Sequence, residues 1–104
     1  MSYLIVCAGD RSNYKVALSI LKYFFQQHKK DKENIFVCVA DGDKDICNFL
    51  KKNKINYINK NVKNFLYDLK PNSYEWLLNI WCPIIYKNEL LKKFKNNLNL
   101  HPSY

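Results

Sequence analysis

The stretch Ile35-Phe36-Val37-Cys38-Val39-Ala40, closed by Asp41-Gly42-Asp43, decides the fold. Successive side chains of an extended strand point to opposite faces, so an apolar run without polar alternation needs cover on both sides. That is the environment of a strand inside a parallel sheet with helices packed above and below. Tyr3 to Ala8, closed by Gly9, and Trp76 to Trp81 read the same way. Ile55-Asn56-Tyr57-Ile58 is a weaker run suited to a sheet edge, and Leu98-Asn99-Leu100 begins a last strand.

Helical periodicity fills the intervals. Ala17, Ile20, Leu21 and Phe24 share one face of a predicted helix with Ser12 or Asn13 as N-cap, ending in the polar stretch His28 to Asn34. Ile46, Phe49 and Leu50 mark a second, shorter helix. Val62, Phe65, Leu66 and Leu69 recur at i, i+3, i+4 and i+7 and mark a third, terminated by Pro71-Asn72-Ser73. After the apolar loop Cys82-Pro83-Ile84-Ile85-Tyr86, Asn88 caps a fourth helix that turns Leu90, Leu91 and Phe94 inward. The order βαβαβαβαβ predicts an α/β fold, a Rossmann-like, doubly wound, mostly parallel sheet of about five strands with right-handed crossovers. No repeat or low-complexity linker divides residues 1–104, so one unit is expected.

Composition narrows the function classes. Apolar residues make up 48% of 104 and aromatics 15%, which is enough to build a core and too much for a disordered chain. The net charge is +8, but Arg11 is the only arginine among 17 basic residues. Sequence-specific nucleic-acid readers rely on the bidentate guanidinium, whereas scattered lysines give a diffuse, salt-sensitive attraction. Many of these lysines fall near predicted helix ends, where a cation favours the macrodipole. A nucleic-acid partner other than tRNA is therefore not expected. The cysteines at 7, 38, 47 and 82 form no C-x-x-C and no Cys/His cluster, so they are expected as free thiols with no metal site. The N-terminus lacks a charged leader and its apolar run is too short for a signal or a membrane span, which predicts a cytoplasmic protein.

In open α/β sheets, ligands bind beyond the carboxyl ends of the strands, where the strand order reverses. Three segments fall there: Gly9-Asp10-Arg11-Ser12-Asn13, Cys82 to Tyr86, and Asn99-Leu100-His101-Pro102-Ser103. In a strand, residues i and i+2 face the same side, so Asn99 and His101 project together. A carboxamide beside an imidazole suits attack on a carbonyl or formyl carbon, with N–H donors for the oxyanion and a protonated ring for the leaving group. Alone, the same pair also fits a hydrogen-bonded strand end closed by Pro102.

Asn99-Leu100-His101-Pro102-Ser103 resembles the N-[IL]-H-P-S signature of the enzymes that transfer a formyl group from 10-formyltetrahydrofolate. Their acceptors are methionyl-tRNA, glycinamide ribonucleotide or amino-sugar nucleotides. The strand ending in Trp81, the Pro-bearing loop 82–86 and the segment through Phe94 stand in the same order and at similar spacing, so the likeness spans essentially the whole chain. The resemblance implies that Asn99 binds the formyl oxygen and that His101 stabilises the tetrahedral intermediate. It further implies that Cys82, Ile84 and Ile85 line the pterin pocket. The turn Gly9, Arg11, Ser12 and Asn13 would approach the amine-bearing substrate. Arg11 would take an anionic group, although Asp10 opposes a phosphate there. A single glycine is not the dinucleotide fingerprint, which argues against NAD or FAD.

The family also uses an aspartate further along the chain to orient the histidine. Asp41, Asp43, Asp45 and Asp68 precede the motif and match no such position. Residues 1–104 are thus expected to be the N-terminal part of a formyltransferase catalytic domain, inactive alone and prone to self-association or to pairing with a separate C-terminal piece. The alternative is a non-catalytic α/β binding or split-subunit module.

Overall fold

Strand β1 (Tyr3–Cys7) occupies the centre of a five-stranded sheet. The computed structural model describes residues 1–9 and 14–100. Leu4, Ile5, Val6 and Cys7 are all 0% exposed, as an apolar run covered on both faces requires. Each buried aliphatic side chain of this kind contributes about 2 kcal/mol from area removed from water. β1 pairs in parallel with β2 (Ile35–Val39) on one side and β4 (Trp76–Ile80) on the other. β3 (Asn56–Asn59) and β5 (Asn96–Leu100) form the edges, giving the order β3-β2-β1-β4-β5 with every pair parallel. The doubly wound, Rossmann-like α/β fold expected from the apolar runs is the one observed.

Helices α1 (Val16–Gln27) and α2 (Lys44–Lys52) cover one face. Ala17, Leu21, Phe25, Ile46 and Leu50 pack there on Tyr3, Ile5 and Cys7. Helix α3 (Val62–Asp68) and the single turn α4 (Asn88–Leu91) cover the other face, where Val62, Leu66, Leu90 and Leu91 meet Leu4, Val6 and Ala8. Two helix starts carry side-chain caps: Asp43 accepts from the Ile46 amide at 2.9 Å, and Asn61 from the Asn64 amide at 3.1 Å.

Two boundaries differ from the sequence expectation. α1 starts at Val16, and its cap residue is Lys15 in the left-handed region (φ 50°) without a side-chain cap bond. The expected caps, Ser12 and Asn13, lie outside the described residues. The fourth helix is one turn only, flanked by Lys87 rather than capped by Asn88, and Phe94 is buried just beyond it. The polar stretch 28–34 is itself ordered, as a 3₁₀ helix Lys29–Asn34, with His28 stacked on Phe24 at 4.4 Å.

On the α1 side, β4 and β5 are covered incompletely by the described residues. Leu98 is 52% and Leu100 38% exposed, and with Met1, Tyr3, Ile20 and Phe24 they line an apolar groove of about 400 Å³. No helix among the described residues is long and apolar enough to cross a membrane.

Lys93 ties the halves of the α3–α4 face together. Its Nζ donates to the carbonyls of Leu66 (2.6 Å), Tyr67 (2.9 Å) and Leu69 (2.7 Å) at the carboxyl end of α3. Lys93→Met is expected to lower the unfolding free energy by about 2 kcal/mol, since bonds to a charged donor are the stronger kind. The exposed neighbour gives the control: Lys92→Met should change it by less than about 0.5 kcal/mol, both read from urea melts.

Candidate functional site

The helices change face between β1 and β4, so the crevice at the carboxyl ends of these two strands is the topological switch point. Gly9 follows β1 there. Its amide donates to Asp41 Oδ2 at 3.0 Å, and the other oxygen of Asp41 accepts from the Asp43 amide at 3.1 Å. A Cβ on Gly9 would run into the Asp43 carboxylate that caps α2, so this glycine is needed for close approach. Beside Gly9 the described rim presents the carboxylates of Asp41 and Asp43, and the Gly9 amide has no donor left for a phosphate. Arg11, Ser12 and Asn13, the other substrate-turn residues, lie outside the described residues.

On the far side of the crevice, β4 ends in an elbow. Trp81 sits in the left-handed region (φ 66°), a strained conformation for a bulky residue, and its amide donates to the Leu100 carbonyl at 2.9 Å. The reversal turns the Cys82 carbonyl back toward the strand. There it accepts from the Ile84 amide and from Asn79 Nδ2, each at 2.9 Å.

Asn79 is the residue the sequence reading missed. It is 1% exposed and is the buried polar residue of the described core. Besides Cys82, its Nδ2 donates to Asn99 Oδ1 at 2.7 Å, and its Oδ1 accepts from the Tyr86 hydroxyl at 2.6 Å. Asn79 and Asn99 face each other directly in the β4–β5 register. The available signal was a lone carboxamide inside an apolar strand, since a buried amide needs polar partners nearby.

The structure brings some expected site residues together and separates others. Asn99 and Ile85 line one hollow of about 190 Å³ with Asn79, Tyr86 and Asn97. Ile85 is 86% exposed, as a side chain awaiting a ligand or cover would be. Cys82 and Ile84 instead pack into the core beneath, on the α3–α4 side, and the Cys82 carbonyl is already occupied. His101, the second expected catalytic residue, lies outside the described residues.

The thiols are poor nucleophiles here. Burial pushes Cys38 up to about 11, and burial first with the nearby Asp41 carboxylate second pushes Cys82 up to about 11. Cys7 is raised well above the ordinary thiol range, again by burial first. All the cysteines are free, and among the described residues no group of His, Cys, Asp or Glu could hold a metal ion.

This has a consequence for stability. A thiol that ionises at higher pH in the folded than in the unfolded chain binds its proton more tightly when folded. Its contribution is complete below the unfolded value of about 9 and is lost as pH rises toward about 11. Urea midpoints should therefore fall between pH 9 and 11, and Cys82→Ala should make that fall shallower.

Comparison of the chain with protein-family models, with curated proteins and with solved structures finds no match.

Proposed function

We propose that the rim formed by β1, β4 and β5 is the front part of a one-carbon transfer site that takes 10-formyltetrahydrofolate as donor and an amine as acceptor. The observation that carries this reading is the Asn99 carboxamide, braced by Asn79 at the carboxyl end of β5 beside a hollow lined by Ile85 and Tyr86. Together with the Asn99-x-His101-Pro102-Ser103 signature, it supplies the element such a reaction needs first, an oriented N–H donor for an oxygen that gains negative charge.

In this reading the amine attacks the formyl carbon, and Asn99 donates to the oxygen that becomes the tetrahedral oxyanion. One such donor is worth about 10²–10³ in rate. Collapse then breaks the bond from the formyl carbon to the folate N10, which takes up a proton as the amine gives one up. His101 acts as the cationic partner on the same strand end. The acceptor approaches from the Gly9 turn, where Asp41 and Asp43 suit an amine better than a phosphate. A nucleotide-linked amino sugar, glycinamide ribonucleotide and methionyl-tRNA are the acceptor classes.

Among the described residues, Asp41, Asp43, Asp45 and Asp68 have partners of their own, which supports a unit that needs a further piece to turn over. Asp41 holds Gly9, Asp43 caps α2, Asp45 pairs with Lys15 at 3.0 Å, and Asp68 lies 4.0 Å from Lys60. A second reading, a non-catalytic binding or split-subunit module, is favoured by the apolar groove under Leu98 and Leu100.

The test is a pair of measurements on the 104-residue chain. Isotope-labelled formyl transfer to the three acceptor classes is expected to stay at background. A stable 10-formyl-dideazafolate is expected to bind and to shift the amide resonances of Ile85 and Asn99. No binding at millimolar concentration sinks the folate reading and leaves the module. Robust turnover, lost in His101→Ala, sinks the claim that a further piece is needed.

A further inference from the structure

We propose that the rim opposite the crevice, where the five strands begin, binds the phosphodiester backbone of a nucleic acid, recognising charge and not base sequence. It uses none of the residues of the formyl-transfer site and holds or falls independently of that reading.

The lysines are scattered along the sequence, and the topology gathers them. In an all-parallel sheet every strand starts on the same rim, reached from the carboxyl end of the helix before it. Lys29, Lys30 and Lys32 lie in the 3₁₀ helix that leads into β2. Lys51, Lys52 and Lys54 lead into β3. Lys70 precedes β4, and Lys92 and Lys95 precede β5. Hydrogen bonds hold these last two segments side by side: the Asn72 amide donates to the Lys93 carbonyl at 2.9 Å, and the Asn96 amide to the Glu75 carbonyl at 3.0 Å.

All of these lysines except the half-buried Lys32 are exposed. Among the described residues none of them takes part in an ion pair, whereas Lys15 and Lys60, toward the crevice, pair with Asp45 and Asp68. The carboxylates that share the basic rim are fewer: Asp31, Glu33, Asp68 and Glu75. Asp41, Asp43 and Asp45 follow β2 at the other end, so most of the net charge of +8 collects where the strands begin. Helix dipoles account for part of this pattern. Their field acts within the last turn, which explains Lys51 and Lys52. Lys54, Lys70 and Lys95 lie beyond the cap residues Asn53, Leu69 and Lys92, and the dipoles leave them unexplained. Like charges gathered without partners repel one another, and a polyanion relieves that repulsion.

The sheet sets the clusters in a row. At about 4.8 Å per strand, β3 and β5 lie roughly 19 Å apart, a length over which a DNA duplex carries roughly ten charges. Lysine is a point charge without the planar fork that reads guanine, so this surface follows the backbone and ignores base order. Asn34 and Asn72, also exposed here, add hydrogen bonds to phosphate or sugar. Anchoring in a bilayer needs apolar area as well as charge, and the exposed aliphatic side chains Ile85 and Leu100 lie at the crevice end instead.

The experiment is fluorescence anisotropy of labelled RNA and DNA duplexes of about 20 base pairs with the full 104-residue chain. Dissociation constants of about 10⁻⁴–10⁻⁶ M are expected at physiological salt, weakening steeply with added salt and alike for unrelated base sequences. Two variants strip the rim: Lys51→Gln, Lys52→Gln and Lys54→Gln together, and Lys70→Gln, Lys92→Gln and Lys95→Gln together. A third, with Lys44→Gln, Lys60→Gln and Lys63→Gln, removes the same charge from the crevice side. All these side chains are exposed, a urea melt checks that each variant is folded, and either rim variant carries the test alone.

Each rim variant is expected to bind roughly tenfold more weakly and to flatten the salt slope by about one to three, while the crevice-side variant loses less than about threefold. Binding to either duplex with this pattern supports the proposal, and the tighter duplex identifies the source of the backbone. Equal losses in all three variants overturn it, because net charge and not the rim then sets the attraction. No binding at millimolar protein overturns it, as does capture by phosphatidylserine vesicles without binding to either duplex.

Discussion

Everything in this molecule depends on β1 being buried on both faces. Its odd-numbered side chains, Tyr3, Ile5 and Cys7, seat α1 and α2, and its even-numbered ones, Leu4, Val6 and Ala8, seat α3 and α4. One strand therefore belongs to two cores. Because β2 and β4 pair on either side of it in parallel, all the carboxyl ends emerge on one rim. The crevice is a by-product of that arrangement: helices cannot cover the place where the winding changes face.

The rim is chemically two-sided. Toward β2 it carries the carboxylates of Asp41 and Asp43, fixed by backbone amides. Toward β5 it carries a neutral lattice of Asn79, Tyr86 and Asn99 without a formal charge. Acidic groups attract cations, and neutral amide and hydroxyl groups suit uncharged hydrogen-bonding partners.

The sheet was legible in the sequence because its apolar runs, Tyr3 to Ala8 and Ile35 to Ala40, lack the alternation of a half-exposed strand. Helix ends were less legible. The start of α1 is set by a left-handed Lys15, and a local propensity rule does not foresee a lysine there. The last helix shrinks to one turn because Phe94 reaches the core from a turn instead of from a longer helix face. Asn99 and Ile85, which line one hollow with Asn79, stood out in the sequence by their places in a signature and in an apolar loop, whereas Asn79 was hidden by its neighbours. In Trp76-Leu77-Leu78-Asn79-Ile80 the polar residue reads as noise on an apolar run. Its meaning emerges only from the β4–β5 register and from the elbow at Trp81, both long-range consequences of the fold. The same limit applies to the loop 82–86, whose sequence did not reveal that Cys82 and Ile84 turn toward the core while Ile85 turns outward.

The parallel pairing of β1 with β4 also shapes how the chain acquires its structure. The amide of Glu75 bonds to the Ser2 hydroxyl across a separation of 73 positions, and the strands beside them zip in register from there. During synthesis, β1, β2 and β3 with α1 and α2 emerge as a sheet with one flank bare. The second core lacks Leu77, and β1 lacks one of its two strand partners, until β4 leaves the ribosome. Closing so long a loop before its contacts form slows that step, and until β4 arrives one edge of β1 has no strand beside it. The central strand that organises the finished molecule is thus also its point of greatest vulnerability while the chain is being made.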